Sequence, residues 1–217
     1  MWVLLHANLG AFRLQLEGDV GQLVLLAAYQ LALWFSSVAA RAALGQTDPM
    51  DITVRPLVES DIPAVRETMI GAYKDSSFYE PAETFAAYLR AFPAGSFAAV
   101  ADDSLVGYGF GHPWLKGVPV PLDITELELP ATPTCFHIHD IAVKVQGAGV
   151  GGRLLRQMLE VANEEQVEFI DLIAVEGADT YWHRFGFRRS EPETQPAKAA
   201  YGSTAVYMVA PIGDLSL

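Results

Sequence analysis

Residues 136–159 read FHIHDIAVKVQGAGVGGRLLRQML and join an apolar strand, a glycine-rich turn and the start of an amphipathic helix. Such a junction directs several backbone N–H groups, together with the positive end of a helix dipole, at one small volume. The pattern therefore predicts a phosphate-binding site. His137 and His139 lie in the strand just before the turn, which also predicts a proton-transfer group beside a bound phosphate carrier.

The composition indicates a folded, acidic protein. Of the 217 residues, 51% are hydrophobic and 18% are charged, which excludes a disordered chain. The formal net charge of −12 argues against a nucleic-acid partner. It favours basic or amine-bearing ligands at long range, or it serves solubility alone, and both interpretations stay open. The single cysteine, Cys135, excludes an intrachain disulfide, and no Cys/His cluster has zinc spacing, so we expect no metal site.

Residues 1–49 differ in character from the remainder. Residues 20–40 carry no charge, and their length is compatible with one membrane span, which needs about 20 apolar residues. Three interpretations stay open: a membrane anchor, a helix packed on the domain or on a partner, and an overlong reading frame whose native start is Met50. We expect a cytoplasmic protein, or one anchored to a membrane through residues 20–40.

From Met50 onward the hydrophobic pattern is regular and predicts a domain over residues 51–217. The strands on either side of the central helix should be parallel and joined by a right-handed crossover. The predicted class is α/β or α+β with a mixed sheet. The predicted strands are 52–57, 97–101, 105–112, 135–145, 168–175 and 205–209, and the predicted helices are 59–73, 82–91, 151–163 and 178–185.

The glycine turn permits more than one interpretation. Gly147, Gly149 and Gly152 match the dinucleotide fingerprint G-x-G-x-x-G, and Glu176 after the next strand has the place of its acidic ribose contact. Too few residues follow the turn, however, for the remaining strands of a doubly wound sheet. A P-loop is excluded because no Gly-Lys-Ser/Thr follows.

Read as Gln146-x-x-Gly149-x-Gly151 after residues 140–143, the turn resembles that of the GCN5-related N-acetyltransferase (GNAT) superfamily. The resemblance covers residues 51–217, including the aromatic segment 181–187, which ends in Gly-Phe, and the pairs at 201–202 and 207–208. It implies a mixed, mostly antiparallel sheet with a β-α-β core that binds acetyl-CoA as co-substrate. The residues that it assigns to acetyl-CoA are Ile141, Ala142, Val143, Gln146, Gly147, Ala148, Gly149, Val150, Gly151 and Gly152.

The resemblance further implies an acyltransferase that moves acetyl from acetyl-CoA to a primary amine by direct attack in a ternary complex. The run 137–143 is similar to that of arylalkylamine N-acetyltransferases, and this makes His137 and His139 the candidate base relay. The alternative is that one or both histidines are hydrogen-bonded strand residues with no role in proton transfer. Strand alternation places these two histidines on one face and Asp140 on the other. Where many members have a tyrosine as general acid, this chain has Trp182, and Tyr181, His183 and Tyr201 are the candidate replacements. The alternative is a catalytically degenerate module that binds acyl-CoA.

The residues expected to bind the acceptor show the weakest sequence pattern. In the family, the stretch 76–81 and the proline-rich loop 113–134 correspond to the acceptor cleft. Tyr79 and Glu80 are candidates to bind an amine by cation–π contact and ion pairing. The acceptor is expected to be a small-molecule amine or a peptide, and the pattern leaves open whether the protein is a homodimer.

Overall fold

The computed structural model describes residues 51–192 and 201–216, which lie in one compact unit that begins at Asp51. Helices and strands alternate along it much as the hydrophobic periodicity predicts. The strands are β1 (Thr53–Pro56), β2 (Ser96–Ala101), β3 (Ser104–Trp114), β4 (Cys135–Val143), β5 (Phe169–Ala174), β6 (Arg188–Arg189) and β7 (Val206–Pro211). The helices are α1 (Ile62–Ala72), α2 (Ala82–Ala91), α3 (Val150–Glu164) and α4 (Asp179–His183), with short 3-10 turns at Glu59–Asp61, Ser76–Phe78, Pro93–Gly95 and Ile212–Asp214.

The described strands form a single seven-stranded sheet in the order β1-β2-β3-β4-β5-β7-β6. Strands β4 and β5 run parallel and are joined by α3, whereas the other described neighbours pair antiparallel. The predicted mixed, mostly antiparallel sheet and the parallel crossover are therefore confirmed. Strand β6 is two residues long and was not predicted.

Strand β3 has two contrasting faces because glycines alternate with aromatic residues along it. A Cβ atom at Gly109 would lie 2.5 Å from Cε of Met158, so glycine allows α3 to pack directly on this face. On the opposite face Tyr108 and Phe110 are fully buried, and Phe85 of α2 packs on both rings at centroid distances of 5.7 and 5.5 Å. Helices α1 and α2 thus cover one face of the sheet, while α3 covers the other.

Strands β4 and β5 separate near their carboxyl ends. They pair only where Phe136, His137 and Ile138 face residues 170–172, and beyond this point β4 continues to Val143 without pairing with β5. The register of β4 against β3 shifts at the same place, because Phe110 pairs with Asp140 but Gly111 pairs with Ile138. His139 is consequently the extra residue of a β-bulge, a feature that bends a strand and redirects side chains.

No helix within residues 51–192 and 201–216 is long and apolar enough to cross a bilayer. The longest helix there, α3, has 15 residues, whereas a span needs about 20. The candidate membrane segment at residues 20–40 lies outside the described residues.

Candidate active site

The separation of β4 from β5 opens a cavity of about 880 Å³, bounded also by α4 and the amino-terminal end of α3. Of the ten residues predicted to contact acetyl-CoA, Ala148 is the only one that does not line it. The structure therefore brings together the carboxyl half of β4 and the glycine turn on one elongated surface. The predicted residues in the wall are Ile141, Ala142, Val143, Gln146, Gly147, Gly149, Val150, Gly151 and Gly152.

The turn at one end of the cavity requires glycine for its backbone geometry. Gly147 and Gly149 have φ angles of +81° and +73°, a left-handed conformation that other residues rarely adopt. Apart from the adjoining residues, no atom lies within 4 Å of the position of a Cβ on either glycine, so the turn is open to an incoming group. Gly149 is also the N-cap of α3, and the free N–H groups of that helix end point toward the same space. The turn is thus suited to bind phosphate.

Further along the cavity, the unpaired edge of β4 supplies backbone donors. The N–H of Lys144 bonds to the carbonyl of Val106 on β3. Because N–H directions alternate along a strand, those of Ile141 and Val143 point to the opposite edge, where β4 has left β5. These two amides face the cavity and can donate to a carbonyl oxygen placed there.

Tyr181 and Trp182 of α4 both line the cavity, but they contact different surroundings. The Tyr181 hydroxyl lies directly against Gly151, so closely that a Cβ at Gly151 would overlap it. Tyr181 is therefore at the α3 end of the cavity. Trp182 is buried and packs edge-to-face on Phe187 at a centroid distance of 5.6 Å. The indole at position 182 forms part of the wall and has no hydroxyl to offer as an acid.

The inner end of the site is the part of the cavity beside the end of α1, and there His139 lines the cavity and forms a buried pair with Glu80, which does not line it. Nε2 of His139 lies 2.8 Å from Oε2 of Glu80, and Nδ1 lies 2.9 Å from the hydroxyl of Tyr88 on α2. The side chains of His139 and Glu80 are 1% and 5% exposed. Burial alone would lower the pKa of His139, but the charge and hydrogen bond of Glu80 outweigh it and raise that pKa. The same pairing, against the effect of burial, lowers the pKa of Glu80.

Asp140 lies next to this pair, held by two tyrosines. Its Oδ1 accepts a hydrogen bond of 2.6 Å from Tyr73, and its Oδ2 accepts one of 2.5 Å from Tyr108. The prediction that Asp140 points away from His139 is wrong, because the bulge at His139 brings both side chains to the face covered by α1 and α2. Burial raises the pKa of Asp140, and the two tyrosine hydroxyls offset this only in part.

The ring centroid of His137 lies 6.4 Å from that of His139, but the two histidines have different hydrogen-bond partners. Its Nδ1 is 2.7 Å from Oδ1 of Asp171 on β5, and Oδ2 of Asp171 accepts a hydrogen bond of 2.6 Å from Tyr207. This cluster is buried where β4 and β5 still pair, and His137 is not part of the cavity wall. Within residues 51–192 and 201–216 no group of His, Cys, Asp or Glu is placed to hold a metal ion.

The two residues predicted to bind the acceptor differ in their surroundings. The Tyr79 hydroxyl donates to the carbonyl of Ile70 at 3.2 Å, so its ring packs on the end of α1. Glu80 accepts a hydrogen bond of 3.0 Å from the backbone N–H of Asp123, in addition to its bond with His139. The proline-rich loop therefore contacts the inner end of the site through Glu80.

Sequence reasoning missed Tyr73 and Tyr88 because neither belongs to a motif. Tyr73 is the residue at which α1 ends, and Tyr88 is one of the buried positions of α2. Glu176, considered above as a ribose contact, instead accepts hydrogen bonds from the backbone N–H groups of Lys74 and Asp75 at 2.9 and 2.8 Å. It ties the loop after α1 to the end of β5.

Comparison with known proteins agrees with this arrangement. Residues 62–187 match the Acetyltransferase (GNAT) family, and the chain belongs to that family. A comparison with curated proteins finds no match.

Solved structures share the fold at low sequence identity. Ard1 from Thermoplasma volcanium is 17% identical, with 76% of this chain and 98% of that chain aligned and a TM-score of 0.56. The loading GNATL domain of CurA from Lyngbya majuscula is 13% identical, with 75% and 98% aligned and a TM-score of 0.59. PaiA N-acetyltransferase from Thermoplasma acidophilum, solved with coenzyme A, is 14% identical, with 75% and 99% aligned and a TM-score of 0.52.

Proposed function

We propose that residues 51–217 form an N-acetyltransferase that moves the acetyl group of acetyl-CoA to a primary amine by direct attack in a ternary complex. One observation carries the proposal. A single cavity runs from a left-handed glycine turn, past two free backbone N–H groups, to Tyr73, His139 and Asp140 at the inner end of the site. Such a site has a place for the phosphates, the thioester and the amine of this reaction.

The donor would lie along β4. Its pyrophosphate would accept hydrogen bonds from the turn at residues 146–152, where glycine lets the backbone approach closely. Its pantetheine arm would occupy the gap between β4 and β5. A related structure was solved with coenzyme A, which supports the choice of this donor for the present chain.

The thioester carbonyl would be polarised by the N–H of Ile141 or Val143. A donor fixed in place before the reaction stabilises the negative charge that develops on oxygen during attack. The amine would enter from the side of α1 and α2, where the Asp140 carboxylate adds a negative charge to the cavity wall. That polarity favours a cationic ammonium group as acceptor.

The proposal is tested by following release of the CoA thiol with the wild-type chain, acetyl-CoA and a panel of amines. The panel should include arylalkylamines, polyamines, amino acids and short peptides with free N-termini. Amine-dependent thiol release, with the acetylated amine detected by mass spectrometry, is the expected result. Tight calorimetric binding of CoA without turnover on any amine would instead support an acyl-CoA-binding module, for which Trp182 in place of the usual tyrosine is the structural argument.

A further inference from the structure

The proposed reaction needs a group that removes a proton from the acceptor ammonium, and His139 is badly placed for this. Both of its ring nitrogens already have partners, Glu80 and Tyr88, at hydrogen-bonding distance. Its side chain is 1% exposed, although the residue contributes to the cavity wall. A base must present a free lone pair within reach of the proton that it takes. The imidazole of His139 has none to present.

Tyr73 differs from His139 in its hydrogen bonding, because within the described residues its hydroxyl has Asp140 as its one partner. It is half-buried, it lines the cavity, and it ends α1 by adopting an extended backbone with φ −86° and ψ 138°. Its hydroxyl donates a hydrogen bond of 2.6 Å to Oδ1 of Asp140. Because the single O–H proton is committed to Asp140, the lone pairs of the Tyr73 oxygen remain free to accept a hydrogen bond from a group in the cavity.

We propose that Tyr73 and Asp140 together accept the proton of the acceptor ammonium, with Tyr73 as the catalytic residue and Asp140 as the carboxylate behind it. This inference rests on the proposed function. An ammonium N–H donates to the Tyr73 oxygen, which takes that proton as its own proton passes to Oδ1 of Asp140. The second of these transfers follows an existing hydrogen bond, because the Tyr73 hydroxyl and Oδ1 of Asp140 are 2.6 Å apart.

The remaining steps balance the reaction. The freed nitrogen lone pair attacks the carbonyl carbon, the carbon–sulfur bond breaks, and its electron pair leaves with the sulfur. The proton stored on Asp140 returns through Tyr73 to the thiolate, and the second ammonium proton is lost from the tetrahedral adduct to water. The pair thus supplies both the base and the acid, which accounts for how a chain with Trp182 could protonate its leaving group.

The surroundings of Asp140 suit a carboxylate that takes up and returns a proton. It faces Tyr73 at the end of α1 and Tyr108 on β3, with His139 and Glu80 as the nearest charged groups. Burial raises the pKa of Asp140 and makes it a stronger base than a solvated carboxylate. Burial also raises the pKa of Tyr73, which keeps its hydroxyl protonated and directed at Asp140.

The two tyrosines provide a matched pair of variants. Tyr73→Phe and Tyr108→Phe each remove one hydroxyl that donates to Asp140, but only Tyr73 lines the cavity, and Tyr108 is fully buried. We expect Tyr73→Phe to lower kcat by about 10²-fold or more, in the range of general base catalysis, with the KM for acetyl-CoA unchanged. Tyr108→Phe should lower kcat far less. Calorimetric binding of CoA to both variants verifies that each has folded.

A third variant, Asp140→Asn, separates proton transfer from structural support. In the wild type we expect kcat to fall at acid pH as Asp140 becomes protonated, and in Asp140→Asn we expect this fall to disappear along with most of the rate. Equal losses in Tyr73→Phe and Tyr108→Phe, or a Tyr73→Phe enzyme within threefold of the wild type, would overturn the inference and leave the proposed function intact. A wild-type chain that releases no thiol with any amine would overturn both.

Discussion

At the scale of single residues, the most informative contact is the buried pair of Glu80 and His139. Replacing Glu80 with Gln leaves His139 buried without its counter-charge. Removal of one partner of a buried ion pair typically costs about 3–5 kcal/mol of unfolding free energy. We expect a loss of this size for Glu80→Gln in urea unfolding near pH 6. The control is Glu83→Gln, which removes the same charge from an exposed position of α2 and should cost little.

The pH dependence of that loss follows from the directions of the two pKa shifts. The pKa of Glu80 is lowered on folding. Glu80 therefore stabilises the folded state above its unfolded pKa of about 4.3, and this stabilisation is lost as the pH falls through its folded pKa. The pKa of His139 is raised on folding. His139 therefore stabilises the folded state fully below its unfolded pKa of about 6.5, and this stabilisation is lost as the pH rises through its folded pKa. The difference in stability between wild type and Glu80→Gln should therefore shrink at pH 9. A constant difference from pH 6 to pH 9 would contradict the ion pair.

At the scale of elements, the junction of β4, the glycine turn and α3 forms the proposed donor site. We expect Gly149→Val to abolish measurable CoA binding, because a branched side chain would strain the φ of +73° and occupy the approach of the phosphates. Gly202→Val is the matched control, since Gly202 has a φ of +82° and likewise no atom within 4 Å of a Cβ, but it does not line the cavity. Both variants should lose similar stability in thermal unfolding. Loss of CoA affinity in both would attribute the effect to backbone strain.

The same junction includes features that the sequence predicted and one, the bulge in β4, that it did not. The bounds of α2 and the parallel pairing around α3 follow from hydrophobic period and glycine position, which are local signals. The bulge at His139 inserts one residue into a strand without changing its composition, so simple alternation placed Asp140 on the wrong face. A single inserted residue changes which side chains share a face of the sheet, and a sequence pattern of period 2 does not reveal the insertion.

At the scale of the whole molecule, the inner end of the site combines segments that are distant in sequence. Tyr73 and Asp140 are 67 positions apart, and Glu80 and His139 are 59 positions apart. Such contacts depend on how α1 and α2 lie across the sheet, which no local motif encodes. The residues predicted to bind the donor come from one continuous stretch, and all of them except Ala148 line one cavity, whereas the inner end is assembled from several separate segments.

The charge of the whole chain makes a separate prediction about the rate of acceptor capture. The formal net charge of −12 attracts ammonium acceptors over distances that salt screens, since the Debye length falls from about 30 Å at 0.01 M to about 8 Å at 0.15 M. With acetyl-CoA saturating, kcat/KM for a polyamine should fall by up to about tenfold across that range. An arylamine that is uncharged at the assay pH is the control and should show a much weaker dependence. Equal salt dependence for both acceptors would mean that the acidic surface serves solubility rather than substrate capture.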